Sequence, residues 1–314
     1  MSIHSVKRSQ CHLAWDNSIT PILRVKSGDT VSFDCLDASN GQITPTTATS
    51  ALAALDIATL DQVNGPIYIE TAQPGDTLQV DILDVVTAEW GWTGVLPGFG
   101  LLADEFPEPY LKIWDLPAGA HHAWFDKMKG IKVPLRPFAG EMGVALREKG
   151  PHSTIPPYRT GGNVDTKFLT KGTTLYLPVE VEGALFSTGD GHATQGDGEV
   201  CGSAIETPMK ITVRLSVVKN KPYVKTPHFS THKGVDDPNG YYCTTGVGPD
   251  IREAARDAVR HMIRTLGAEH GLSSEEAYVL CSVAADLRMH EVVDMPNYVI
   301  GLMMPKSIFG HKSD

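Results

Sequence analysis

The segment Ser187-Thr188-Gly189-Asp190-Gly191-His192-Ala193-Thr194-Gln195-Gly196-Asp197-Gly198-Glu199 concentrates side chains able to do chemistry. Between residues 190 and 199 it places two Asp, one His, one Gln and one Glu among glycines. Glycine beside polar groups lets the backbone take unusual dihedrals and approach a ligand closely, at an entropic cost that a purely structural loop has less reason to carry. Asp190 and His192 offer a carboxylate oxygen and an imidazole nitrogen to a divalent cation. Zinc accepts that mixture, with a third protein ligand from elsewhere and one position left for water. A calcium EF-hand is excluded, because counting from Asp190 puts Gln195 and Cys201 where Gly and Glu are required.

Gly161-Gly162-Asn163-Val164-Asp165, emerging from the proline-rich PHSTIPPYRT, is the natural second source. Asp165 is a candidate ligand and Asn163 a candidate donor to a carbonyl oxygen. Asp37 ends the apolar face Val31-Phe33-Cys35, where a carboxylate is costly unless paired. It joins Gly162 and Gly191 as a candidate substrate contact, although Asp84 holds the same place in a related segment and argues for a structural role at both. Nucleophile signatures are largely missing: there is no G-x-S-x-G elbow. Cys201, in GEVCGSA, is the one thiol beside the cluster, and its apolar context suits a small core residue. The pairs His228/His232 and His121/His122 fall in turn-rich stretches and read as loop histidines.

These residues need a β framework. Thirty glycines and 21 prolines separate short alternating runs rich in Val, Leu, Ile and Thr. VKSGDTVSFDCLD (25–37) and AQPGDTLQVDILD (72–84) repeat a Gly-Asp-Thr turn and a following strand, predicted at Val31–Leu36 and Leu78–Leu83, with a weaker echo in KGTTLYLPVEV. A strand-like run from Leu175 to Phe186 leads into the glycine-rich turn. Gly98-Phe99-Gly100-Leu101-Leu102-Ala103 mimics a dinucleotide fingerprint, but no strand leads in and DEFPEP follows where a helix is needed. After about residue 225 the period changes. Asp250 and Glu253 predict a capped helix that Gly267 stops, and Ser273 with Glu276 a second, with Ala277, Leu280, Ala284 and Leu287 on its buried face. Arg256, Arg260 and Arg264 read as the first helix's solvated face. The expected division is a β-rich catalytic core over 1–225 and an α+β part over 226–314.

The 314 residues carry 27 basic and 37 acidic side chains, a formal net charge of −10. With no Lys/Arg run to track phosphates, nucleic acid is excluded as a partner. No stretch has the length of a membrane helix and the N-terminus offers no signal peptide, so membrane contact is not expected and a cytoplasmic location is. Five scattered cysteines without a C-x-x-C pair agree with a reducing compartment.

GALFSTGDGHATQGDGEVCGSAIE (183–206) resembles the signature block of the acetamidase/formamidase family. The resemblance extends to an H-x-x-W opening at His12 and Trp15, to GPIYIETAQPGDTLQVDIL, GGNVD and KGTTLYLPVEVEGALF, and to EEAYVLCSVAADLRMHEVVDMPNYV. It implies a mainly β fold, a sandwich plus a small barrel, with an α+β C-terminal part. It implies hydrolysis of a small amide to acid and ammonia, and a homo-oligomer, dimer or larger. Combined with ligand chemistry, it leads to a cation held by Asp165, Asp190 and His192, zinc first with manganese or calcium as alternatives. Glu199 is then the general base, and Asn163 or Gln195 orients the amide. The rival readings are a metal-independent Cys201 amidase and a non-enzymatic β scaffold binding a small ligand. PPYRT before Gly161, where relatives place Pro-Gly, and the loop around 105–130 depart from the family pattern.

Overall fold

The computed structural model describes residues 2–234 and 237–309, and the outer ends of the expected parts, 1–225 and 226–314, lie outside the described residues. The two Gly-Asp-Thr units fold as strands Thr30–Cys35 and Thr77–Thr87. Both pair antiparallel with Met209–Val218, which lies between them, so the repeat builds two neighbours of one central strand. Alternation decides their faces: Leu78, Val80 and Ile82 are buried while Gln79 and Asp81 point away from the core.

A nine-stranded sheet runs in the order Ile3–Val6, Thr30–Cys35, Met209–Val218, Thr77–Thr87, Thr174–Pro178, His228–Ser230, Tyr241–Gly248, Tyr298–Pro305, Asp286–Glu291. It crosses the expected division at residue 225, because Thr174–Pro178 pairs with His228–Ser230. A second sheet runs Gly161–Asn163, Phe138–Gly143, Phe186–His192, Val63–Ile69, Cys11–His12, with Leu23–Val25 also paired to Val63–Ile69. One apolar cluster joins the sheets: Val31, Phe33, Ile211 and Val213 from the first meet Ile67, Met142 and Phe186 from the second. Phe33 and Phe186 touch edge to face, ring centroids 6.0 Å apart. This is a mainly β sandwich with a C-terminal helical layer.

The sheets stay open, however, and no closed barrel forms among the described residues. The second sheet ends on strands of three and two residues, too short to join its edges. Two separate hairpins, Trp90–Val95 with Tyr110–Asp115 and His122–Asp126 with Ile131–Pro134, occupy the middle of the chain.

Helix α1 (Ile251–His270) starts at the Asp250 cap as expected but continues through Gly267 to Gly271, whose left-handed conformation ends it. Gly267 lies within the helix, where an added Cβ would meet the Leu272 carbonyl at 3.4 Å. Helix α2 (Ser274–Ala284) has the expected capping box at Ser273 and Glu276. It ends before Leu287, which lies on strand Asp286–Glu291 and is exposed. Arg256 and Arg260 pair with Glu253 and Asp257 on the solvent side.

Candidate active site

The glycine-rich segment is not a loop at first. Phe186–His192 is a fully buried strand between Phe138–Gly143 and Val63–Ile69. Its glycines mark close backbone approach: a Cβ on Gly189 would meet the Gln62 carbonyl, and one on Gly191 the Thr207 carbonyl and Met209. Asp190 interrupts the strand with φ of +53°, and Asp61, Asp165 and Glu199 have φ of +53°, +38° and +45°. Four site carboxylates thus occupy a region that side chains rarely adopt, strain of a kind concentrated at functional sites.

His192 is the hub. Its Nε2 lies 3.0 Å from Asp190 Oδ2, 3.1 Å from Glu206 Oε2 and 4.0 Å from Glu199 Oε1, and its Nδ1 lies 3.7 Å from Asp165 Oδ1. The ring stands edge to face on Phe138, with centroids 4.9 Å apart. Three overlapping triads have ligand atoms within 4.8 Å of one another: Asp165/Asp190/His192, His192/Glu199/Glu206 and Asp165/Glu199/Asp294. Both carboxylate oxygens of Asp165, Oδ1 of Asp190 and Nδ1 of His192 are buried without a hydrogen-bond partner. Gly140, on the neighbouring strand, leaves the space between Asp190, Asp165 and His192 open, and a Cβ there would run into all three.

The turn that carries Glu199 is held from behind. Asp197 is 3.2 Å from both Lys167 Nζ and Arg288 Nη1, and Gly198 N–H donates to the His290 carbonyl. Glu291 accepts from the backbone N–H groups of Val293 and Asp294, fixing the turn that brings Asp294 to the cluster.

Six buried carboxylates, those of Glu141, Asp165, Asp190, Glu199, Glu206 and Asp294, surround one imidazole. Burial, then the neighbouring Asp165, pushes the Glu199 carboxyl well above its ordinary range. Burial followed by Asp294 raises Asp165, and burial followed by Glu199 raises Asp294. Burial opposes charge on His192 too, but Asp190 and Glu206 overcome it and hold the imidazole well above its usual value. His192 in turn outweighs burial at Asp190 and holds that carboxyl low. Such opposed shifts in one cavity are typical of catalytic or metal sites. The orphaned donors, their oxygen-rich N/O chemistry and the Gly140 cradle fit a divalent cation.

A cavity of about 300 Å³ opens onto the cluster, lined there by Asn163, Asp190, His192, Glu199, Glu206 and Asp294. Asn163 Nδ2 donates to Asp294 Oδ2 at 2.9 Å, and its buried Oδ1 has no partner. Gln195 lies off this cavity, its Nε2 donating to the Asp165 backbone carbonyl at 2.7 Å. Asp37 is buried behind the wall and accepts from the Ser39 hydroxyl and N–H and from Trp92 Nε1. Gly162 faces the Trp15 and Tyr158 rings. None of Asp37, Gly162 and Gly191 lines the cavity.

Among the described residues Cys201 Sγ has its hydrogen-bond partner in Ser203, 3.4 Å from that residue's carbonyl oxygen, outside the cavity at the cluster. His228 is a buried strand residue facing Tyr242 and His261. Arg159 of PPYRT clamps Glu180 with two hydrogen bonds and also reaches Glu148. Sequence reading missed Asp61, Glu141, Glu206 and Asp294. A signal existed for two of them: Glu141 in PFAGEMGVAL and Asp294 in HEVVDMP are acids within apolar runs.

Comparison with known proteins identifies the family. A sequence model described as the acetamidase/formamidase family matches residues 3–153 and 146–311. The formamidase of Methylophilus methylotrophus is 29% identical, the match covering 96% of this chain and 89% of that protein. The acetamidase of Mycolicibacterium smegmatis is 30% identical over 66% of each. The crystal structure of an acetamidase from Bacillus halodurans superposes with a TM-score of 0.88 at 31% identity, covering 97% of this chain and 98% of that one. A match that spans both sheets, the buried acidic cluster and the C-terminal helices places this chain in the acetamidase/formamidase family, as a hydrolase of amide carbon–nitrogen bonds.

Proposed function

We propose that the chain hydrolyses a carboxamide to the carboxylic acid and ammonia with water activated at a divalent cation. Asp165, Asp190 and His192 would hold the cation, zinc first and manganese or calcium next. The observation that carries this reading is the convergence of these three buried side chains, with donor atoms left unpartnered, beside a cavity that Asp190 and His192 line. Such an ion supplies Lewis acidity, lowering the pKa of water from 15.7 toward about 7 and polarising a carbonyl.

The chain's own groups do the rest. Glu199, which lines the same cavity, takes the proton as the water oxygen bonds to the carbonyl carbon, and returns it to nitrogen as the C–N bond breaks. Burial and the neighbouring Asp165 raise its pKa, which strengthens it as a base. Asn163 Oδ1 accepts from the substrate NH₂, which fixes the amide's orientation. Gln195 keeps Asp165 in place through its backbone carbonyl. The five free cysteines support a cytoplasmic setting, and no helix among the described residues is long and apolar enough to cross a membrane. Exposed Trp124, Phe125, Met128 and Ile131 on one hairpin support a homo-oligomer.

Chelation tests the cation. EDTA should abolish ammonia release and zinc, manganese or calcium restore it. The melting temperature should fall on chelation, because the ion no longer offsets the repulsion among the buried carboxylates. A metal-free, fully active preparation sinks the reading. The thiol alternative makes the opposite forecast for Cys201→Ala. With Sγ turned to Ser203, this variant should keep kcat/KM within about threefold of wild type, and inactivation of a folded C201A protein would revive the thiol route.

A further inference from the structure

The cavity is far larger than a formamide or acetamide needs. At about 300 Å³ it has room for roughly ten water-sized groups, whereas those amides have three and four heavy atoms. Away from the carboxylate cluster its lining is mostly apolar, with Leu55, Ile57, Leu60, Leu96, Phe99 and Ile155 beside two serines, Ser39 and Ser203. Leu55 and Leu96 pack with Ile43, Leu52 and Trp92 into a small core of their own, which gives this wall a fixed backing. Ile57 remains 56% exposed, an apolar side chain kept at the mouth of a polar site. A wall of this kind adds nothing to binding a substrate whose acyl group is a hydrogen or a methyl.

We propose that the preferred substrate is a carboxamide with an apolar acyl chain of about five to eight carbons, its amide at the acidic cluster and its chain along this wall. The proposal rests on the amidase reading and deepens it. The wall, not the chemistry, then sets specificity, and each methylene buried there should raise affinity about fourfold.

Ammonia release from formamide, acetamide, butanamide, hexanamide and phenylacetamide by the metal-loaded protein tests it. The kcat/KM for hexanamide should exceed that for acetamide on the order of 10²-fold, the four added methylenes together. Leu60→Trp and, as a second variant at a more exposed position, Ile57→Trp should each cut the hexanamide-to-acetamide ratio at least tenfold. Acetamide or formamide turned over as well as hexanamide overturns the proposal while leaving the amidase reading standing. If no amide releases ammonia the amidase reading fails, and calorimetry on the metal-stripped protein decides the pocket separately. Hexanamide binding at least tenfold tighter than acetamide supports an apolar-chain ligand, and equal or undetectable binding overturns it.

Discussion

Glu199→Gln should lower kcat for amide hydrolysis by about 10²–10⁴-fold and leave the fold and the bound metal in place. The amide is isosteric with the carboxyl but cannot take a proton from water at neutral pH. The change also removes a charge that burial and Asp165 already make costly, so thermal stability should hold or rise. Asp165, Asp190 and His192, the proposed ligands, are untouched, and Asp197 still anchors the turn through Lys167 and Arg288. The measurement is kcat and KM from ammonia release, beside metal content and a thermal melt on the same preparation. Loss of kcat with KM nearly unchanged marks a group acting on the transition state. A kcat within threefold of wild type removes Glu199 from proton transfer. Loss of metal along with activity instead makes it a ligand, as its place in two of the three triads allows.

Much of this site was legible along the chain because three of its members are local. Asp190, His192 and Glu199 stand within ten residues, and Asn163 with Asp165 within three, so composition alone marked both segments. Their backbone was harder to read. The glycines of Ser187–His192 suggested a loop, yet they sit in a buried strand, where the Gln62 and Thr207 carbonyls leave no room for side chains. The same ambiguity misplaced Gly191: close approach of backbone is what it serves, and the backbone is the protein's own. Asp37 shows why a buried acid in sequence does not identify its partner. Its hydrogen bonds come from Ser39, two residues on, and from Trp92, on a distant hairpin. Glu206 closes the same 183–206 block and returns to His192 only because the chain folds back on itself, while Asp294, an acid in an apolar run, is brought to Asp165 across the fold by the Glu291 turn, a contact that local pattern does not encode. The strand repeat, by contrast, was readable because Gly-Asp-Thr turn chemistry and period-two alternation are local, and both copies pair with one strand. Barrel closure was not, since it depends on how two very short edge strands end.

Gly140→Ala should weaken metal binding on the order of 10²-fold, and activity should fall with occupancy. Gly140 sits on strand Phe138–Gly143 with its Cα turned into the proposed ligand set. A Cβ would collide with Asp190 Oδ2, approach Asp165 Oδ1 to 2.5 Å and reach 2.9 Å from His192 Cε1. Carboxylate ends can often swing aside, but these two are buried, and Asp165 is tied to the same strand by its N–H donating to the Gly140 carbonyl at 3.3 Å. The methyl therefore displaces ligands from their shared geometry, a loss comparable to removing the support of a ligand shell. Excess cation should restore part of the rate, which distinguishes lost affinity from a lost fold. Gly248→Ala, where nothing lies within 4 Å of the added carbon, is the control and should keep both metal and activity within about twofold. If the Gly140 variant retains full metal content and an unchanged kcat/KM, the cation does not lie between Asp165, Asp190 and His192. The triads through Glu206 or Asp294 would then be the ones to test, by Glu206→Gln and Asp294→Asn with the same two readouts.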